Sequence, residues 1–149
     1  MKTATGGHLM VRALDAQGVD RVFCVPGESY LAVLDGLHDS DIDTVVARQE
    51  GGASMMAEAD AKLTGRPGIA MVTRGPGATN AASGVHVAAQ DSTPLILLVG
   101  QIARGIEGRE AFQEVDFTQF YSGIAKWVTE IRDPKRIPEI LAHAFSVAM

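Results

Sequence analysis

The apolar positions of this chain alternate between two patterns, short unbroken runs of four or five residues and longer stretches in which apolar residues return every three or four. Leu9, Val11, Ala13, Leu14 and Ala16, mixed with Arg12, Asp15 and Gln17 and closed by Gly18, predict a helix with a glycine stop. Val22-Phe23-Cys24-Val25, bounded by Pro26-Gly27, predicts a buried strand and a turn. Leu31, Leu34 and Leu37, with Val33 beside them, predict a second helix, and Thr44-Val45-Val46-Ala47 a second strand. From Glu50 to Leu63 a third helix is expected to gather Ala53, Met56, Ala57 and Leu63 on one face and to pair Glu58 with Lys62, with Met55 and Met56 as core filling, before Gly65-Arg66-Pro67-Gly68 stops it. Ile69-Ala70-Met71-Val72 predicts a third strand. Gly75-Pro76-Gly77 then leads into a helix with a narrow face of Ala78, Ala81, Ala82, Val85, Ala88 and Ala89. Asp91-Ser92-Thr93-Pro94 reads as a turn before Leu95-Ile96-Leu97-Leu98-Val99, the most apolar strand. Residues 101–117 read as a long loop, followed by a strand near Trp127 to Ile131 and a helix from Pro134.

Continuous apolar strands alternating with helices predict a doubly wound α/β fold, a mainly parallel sheet with helices on both faces, spanning 1–149 as a single domain. The last helix runs through Ile140, Leu141, Ala144, Phe145 and Val147 to Met149 without a cap, so a fragment of a longer multidomain chain is expected. Composition leaves this picture unchanged: 46% hydrophobic and 21% charged residues are ordinary for a globular domain. Charge narrows the partners. With a formal net charge of −5 and no run of Lys or Arg longer than two, an extended basic surface for nucleic acid or anionic lipid is not supported. Cys24 is the only cysteine, which excludes an intrachain disulfide, fits a reducing compartment and reads as a small buried hydrophobe. The N-terminus lacks the apolar core of a signal peptide and no stretch approaches the roughly 20 apolar residues of a membrane span, so a cytoplasmic protein is expected.

In an open parallel sheet, ligands bind beyond the carboxyl ends of the strands. Those ends carry Val25-Pro26-Gly27-Glu28, Arg48-Gln49-Glu50-Gly51-Gly52, Thr73-Arg74-Gly75-Pro76-Gly77 and Gly100-Gln101. Only Glu50 is a carboxylate at a strand-to-helix junction followed by two glycines. By itself it would be an acid favoured by the helix dipole, worth about 0.3–1 kcal/mol. Gly51 and Gly52 argue for more, because each weakens a first turn by about 1 kcal/mol relative to Ala, and close approach by another group would explain them. Gly75 to Asn80 is a weak phosphate-loop pattern: Asn80 stands where a third Gly is needed, and Leu97 and Leu98 stand where a ribose-binding acid belongs, so Asn80 is as readily a helix cap. His8, His38, His86 and His143 have no partner at ligand spacing, and no metal site is expected. Ser29, Ser54, Ser83 and Ser92 lack a nucleophile elbow.

Taken in order, Val25-Pro26-Gly27, Ala47-Arg48-Gln49-Glu50-Gly51-Gly52-Ala53, Gly65-Arg66-Pro67-Gly68, Val72 to Asn80 and Ala111-Phe112-Gln113-Glu114 resemble the N-terminal pyrimidine-binding domain of thiamine diphosphate enzymes of the acetolactate synthase type. The resemblance implies the thiamine diphosphate-binding fold and a role for Glu50 in bonding the N1′ nitrogen of the cofactor's aminopyrimidine. The favoured imino tautomer removes the thiazolium C2 proton, and the resulting ylid attacks a 2-oxo acid. A carboxyl group that shares a proton with a ring nitrogen needs a dry pocket. By the same resemblance Pro26 and Gly27 face the pyrimidine, Pro76 and Asn80 line the pocket, and Phe112 and Gln113 reach the substrate side.

In that family the diphosphate and Mg²⁺ are held by a Gly-Asp-Gly segment of a separate domain, usually of the partner subunit. This chain contains no Gly-Asp-Gly, so it is expected not to hold the diphosphate and to be inactive by itself; the resemblance implies a homodimer or larger homo-oligomer with the site at a subunit interface. A flavin, FAD, elsewhere in the assembly stays open. The sequence departs from the family pattern with Glu28-Ser29 for Gly-Ala, Gln49 for His, Asp60 for Tyr and Arg74 for Ser. Another 2-oxo acid decarboxylase of the family, a non-catalytic truncated paralogue that pairs with a complete subunit, and a generic nucleotide-binding module are therefore the competing readings.

Overall fold

A computed structural model describes residues 4–149, so Met1–Thr3 of the N-terminal segment lie outside the described residues. The strands are β1 (Arg21–Cys24), β2 (Asp43–Val46), β3 (Gly68–Val72) and β4 (Leu95–Val99), and they form one all-parallel sheet in the order β2-β1-β3-β4. The helices are α1 (Gly6–Ala16), α2 (Leu31–His38), α3 (Glu50–Thr64), α4 (Pro76–Asp91), α5 (Phe117–Tyr121) and α6 (Ile137–Ala148). The expected α/β fold, with helices on both faces of a parallel sheet, is the one observed.

Strand pleat sorts the core into two layers, since successive side chains point to opposite faces. Val22 and Cys24 of β1 and Ile69 and Met71 of β3 meet Leu14 of α1, Leu37 of α2 and Leu141 and Phe145 of α6. Phe23 and Ala70 face the other way, onto Ala53 and Ala57 of α3, while Val72 meets Ala78, Ala81 and Val85 of α4 with Phe117 and Tyr121 of α5. Tyr30 fastens the first layer to the strand ends, because its buried hydroxyl donates to Val25 O and, at 3.4 Å, to Met71 O. Desolvation raises the pKa of that phenol, as it does for Tyr121, which donates to Ala78 O at 2.5 Å.

Small residues let α3 and α4 lie close together. A Cβ on Gly84 would stand 2.2 Å from Ser54 Oγ, which itself donates to Gly51 O at 3.0 Å. Buried Glu58 at the far end of α3 accepts from Lys62 at 2.5 Å and from Thr93 Oγ1 at 3.1 Å, so the expected i,i+4 pair is part of a satisfied network between the two helices.

Several expectations need correction. Leu63 is 88% exposed, because it lies almost opposite the face that carries Gly51, Ser54, Ala57, Glu58 and Ala61. Met55 is 38% exposed rather than core, and Ala89 falls outside the buried face of α4. Residues Trp127–Ile131 form no strand; Val128 and Ile131 pack onto opposite layers without joining the hydrogen-bond ladder. The most apolar strand, β4, is an edge, with only Ile96 fully buried. An apolar run reports that both faces are covered, not that a neighbour lies on each side.

Candidate functional site

The sheet delivers its loops to one edge in register. Ala47 N donates to Cys24 O at 2.8 Å, Val25 N to Met71 O at 3.2 Å and Gly100 N to Val72 O at 3.0 Å, so adjacent strands end side by side. Helix α3 begins at Glu50 because Gln49, in extended conformation, caps it: Gln49 Oε1 accepts from Gly52 N at 2.8 Å. This explains a family departure that the sequence left without a role.

Glu50 occupies the first turn of α3, half-buried, where the helix dipole favours a carboxylate. Its only protein donor among the described residues is Asn80, whose Nδ2 donates to Oε2 at 3.0 Å. Asn80 is therefore no helix cap. Gly75 holds the N-cap position of α4 without a side-chain hydrogen bond, Pro76 opens the helix, and Asn80 lies in the second turn with its amide turned to Glu50. A Cβ on Gly77 would stand 3.4 Å from Glu50 Oε1, so α4 backs the other carboxylate oxygen with hydrogen rather than a side chain.

The two glycines after Glu50 have different reasons. Gly51 is buried against α4, where a Cβ would meet Ser83 Oγ at 2.9 Å and Asn80 O at 3.2 Å, so the close approach comes from this chain. Gly52 is exposed; its nearest neighbour would be Gln49 Oε1 at 3.9 Å, which leaves room for an incoming group.

Pro26, Gly27 and Pro76 sit at the same edge, with both prolines exposed. A residue the sequence reading missed, Thr73, binds them together: a Cβ on Gly27 would fall 2.4 Å from Thr73 Cβ, and one on Gly77 2.8 Å from Thr73 Cγ2. The signal was available, since a hydroxyl residue at the end of β3 lies between two glycine turns. Phe112 is 73% exposed and Gln113 has φ +64°, in a loop that abuts Gly75, where a Cβ would stand 2.6 Å from Gln113 Cβ. Gly75 itself has φ +60°, a backbone region that favours glycine.

A surface depression of about 430 Å³ is lined by Gly108, Glu110, Ala111, Gln113, Glu114, Val115 and Asp116 and includes only Gln113 of the expected site. Two of its three acids, Glu114 and Asp116, are engaged within the chain. Glu114 accepts from Gly108 N and Ala111 N, which hold its carboxyl below the ordinary value, and Asp116 is lowered by Thr118 and Gln119 at the start of α5. Among the described residues no group of three or more His, Cys, Asp or Glu side chains could hold a metal ion. Burial pushes the Cys24 thiol up, which fits an inert core residue.

Comparison with known proteins identifies the family of the chain. Residues 4–120 match the family described as thiamine pyrophosphate enzyme, N-terminal TPP binding domain, thiamine pyrophosphate being another name for thiamine diphosphate. The acetolactate synthase of Bacillus subtilis (strain 168) is 39% identical over 143 residues, which cover 96% of this chain and 25% of that protein. The acetolactate synthase isozyme 3 large subunit of Escherichia coli (strain K12) is 40% identical over 149 residues, 99% of this chain and 26% of that subunit. A probable acetolactate synthase large subunit of Methanocaldococcus jannaschii is 38% identical over 143 residues, 96% of this chain and 24% of that subunit. The chain thus spans about a quarter of the length of these relatives.

Proposed function

The chain belongs to the thiamine pyrophosphate enzymes, as their N-terminal TPP binding domain, and on that premise we propose that it supplies the pyrimidine half of a thiamine diphosphate site in an enzyme acting on a 2-oxo acid. The observation that carries the proposal is the pairing of Glu50 with Asn80 at the open end of the sheet. The residues present fit an aminopyrimidine. One carboxylate oxygen is held by Asn80, and the other takes no hydrogen bond from any described residue. Pro26 and Pro76, both exposed at the same edge, offer apolar contact.

When bound, the cofactor supplies a carbon nucleophile and an electron sink for a 2-oxo acid whose carboxylate leaves. Glu50 holds a proton at the ring nitrogen, and Asn80 keeps its carboxylate turned toward that atom. Phe112 and Gln113 form the substrate side. The names of the relatives support joining the bound fragment to a second oxo acid. Mg²⁺ with the diphosphate is assigned to the remainder of the full-length protein, of which the chain spans about a quarter by the length of its relatives. Glu50 is only half-buried here, so the dry pocket that proton sharing needs is completed by that second domain, at an interface between subunits.

Substituting Glu50→Gln in the full-length protein tests the reading. Turnover of pyruvate, followed by CO₂ release, is expected to fall by about 10²–10⁴-fold while the far-ultraviolet circular dichroism stays that of the wild type. Wild-type rates in that variant would overturn the assignment.

A further inference from the structure

Three of the positions at which this chain departs from the family pattern, Glu28, Ser29 and Arg74, are partners of one another. Arg74 Nη2 donates to Glu28 Oε1 at 2.8 Å. Arg74 N donates to Ser29 Oγ at 3.2 Å, and the same hydroxyl lies 2.7 Å from Thr73 Oγ1. The Arg74 side chain is only 14% exposed although Glu28 is 66% exposed, so the guanidinium is tucked under the loops and the carboxylate covers it from outside. Its Nε reaches across to the long loop and donates to Phe112 O at 3.1 Å.

One side chain thereby joins the exits of β1 and β3 to the segment Phe112-Gln113. That segment has no strand or helix of its own, and its backbone at Gln113 lies at φ +64°. A serine at position 74 could not span these partners. Lysine could not either, because a single terminal ammonium lacks a donor at the Nε position and cannot serve the carboxylate and the carbonyl as a fork does.

We propose that Arg74, paired with Glu28, is a positioning residue that fixes the main chain at Phe112 and so sets where Phe112 and Gln113 stand over the substrate side of the site. The consequence for substrate rests on the function proposed above; the tether does not.

The test uses the full-length protein with Arg74→Gln, Arg74→Lys and Glu28→Gln. Hydrogen exchange read by mass spectrometry on peptides covering residues 108–116 is expected to speed up about tenfold in both Arg74 variants and less in Glu28→Gln. The KM for pyruvate should rise by about the same factor in the Arg74 variants, with the Kd for thiamine diphosphate, measured with Mg²⁺, within twofold of wild type. A role confined to holding the strand ends together would instead move Kd and KM alike. Unchanged exchange at 108–116, full rescue by lysine, or a Kd shift as large as the KM shift would each overturn the proposal. If the wild-type protein shows no thiamine diphosphate-dependent turnover, the functional reading fails, and the exchange result alone still decides the tether.

Discussion

Glu50 and Asn80 come from different helices, and the 3.0 Å bond between them makes the carboxylate's orientation a property of α4 as much as of α3. A hydrogen bond to a charged group contributes about 1.5–3 kcal/mol, so its loss is felt first in how the carboxylate is aimed. Asn80→Ala in the full-length protein is expected to lower kcat about tenfold with the thermal midpoint changed by no more than a few degrees; an unchanged kcat would show that Glu50 is aimed by other contacts. At Glu114 the direction of pH dependence follows from its bonds. Its carboxyl is held below the ordinary value of 4.5 by the amides of Gly108 and Ala111, so the order it gives the loop is present above that value and is lost as the pH falls through the lower, folded value. The Gly108 and Ala111 amide proton shifts should therefore titrate in the acid range below 4.5, and Glu114→Gln should abolish that titration.

Helices α3 and α4 form the element pair on which the proposed site depends, and their contact is made by small residues. Gly84→Ala places a methyl group 2.2 Å from Ser54 Oγ and 2.7 Å from the Ser54 backbone carbon, so the main chain of α3 or α4 must shift. Overpacking of this kind costs about 1–3 kcal/mol, and urea unfolding should show it as a lowered midpoint. Leu63→Gln is the contrast: at 88% exposure the change should stay within about 0.5 kcal/mol. The long loop was legible as a loop because it lacks periodicity, but its attachment was not, since Arg74 and Phe112 are far apart in the chain and neither carries a pattern that names the other.

For the whole molecule, the proposed division of the site between domains is the reading to test, since the chain spans about a quarter of its relatives' length. Isothermal titration of thiamine diphosphate with Mg²⁺ should accordingly give no resolvable heat with residues 1–149 alone and saturable, Mg²⁺-dependent binding with the full-length protein. Tight Mg²⁺-dependent binding by the 149-residue chain would contradict the division of the site between domains.

The sequence by itself determined the class of fold and the sheet edge at which a site is proposed. Alternating apolar runs and helical periods are properties of single elements, set by how each must bury one face or two, and the glycine- and proline-rich strand ends show where the sheet opens. Tertiary structure decided what those residues do to one another. That Gly51 is glycine because α4 presses on it, that Asn80 turns to Glu50 instead of capping its helix, and that Trp127–Ile131 stays out of the ladder are facts about contacts between distant elements. A local pattern records how deeply a residue is buried; its partners are chosen by whichever neighbour the folded sheet brings within about 3 Å.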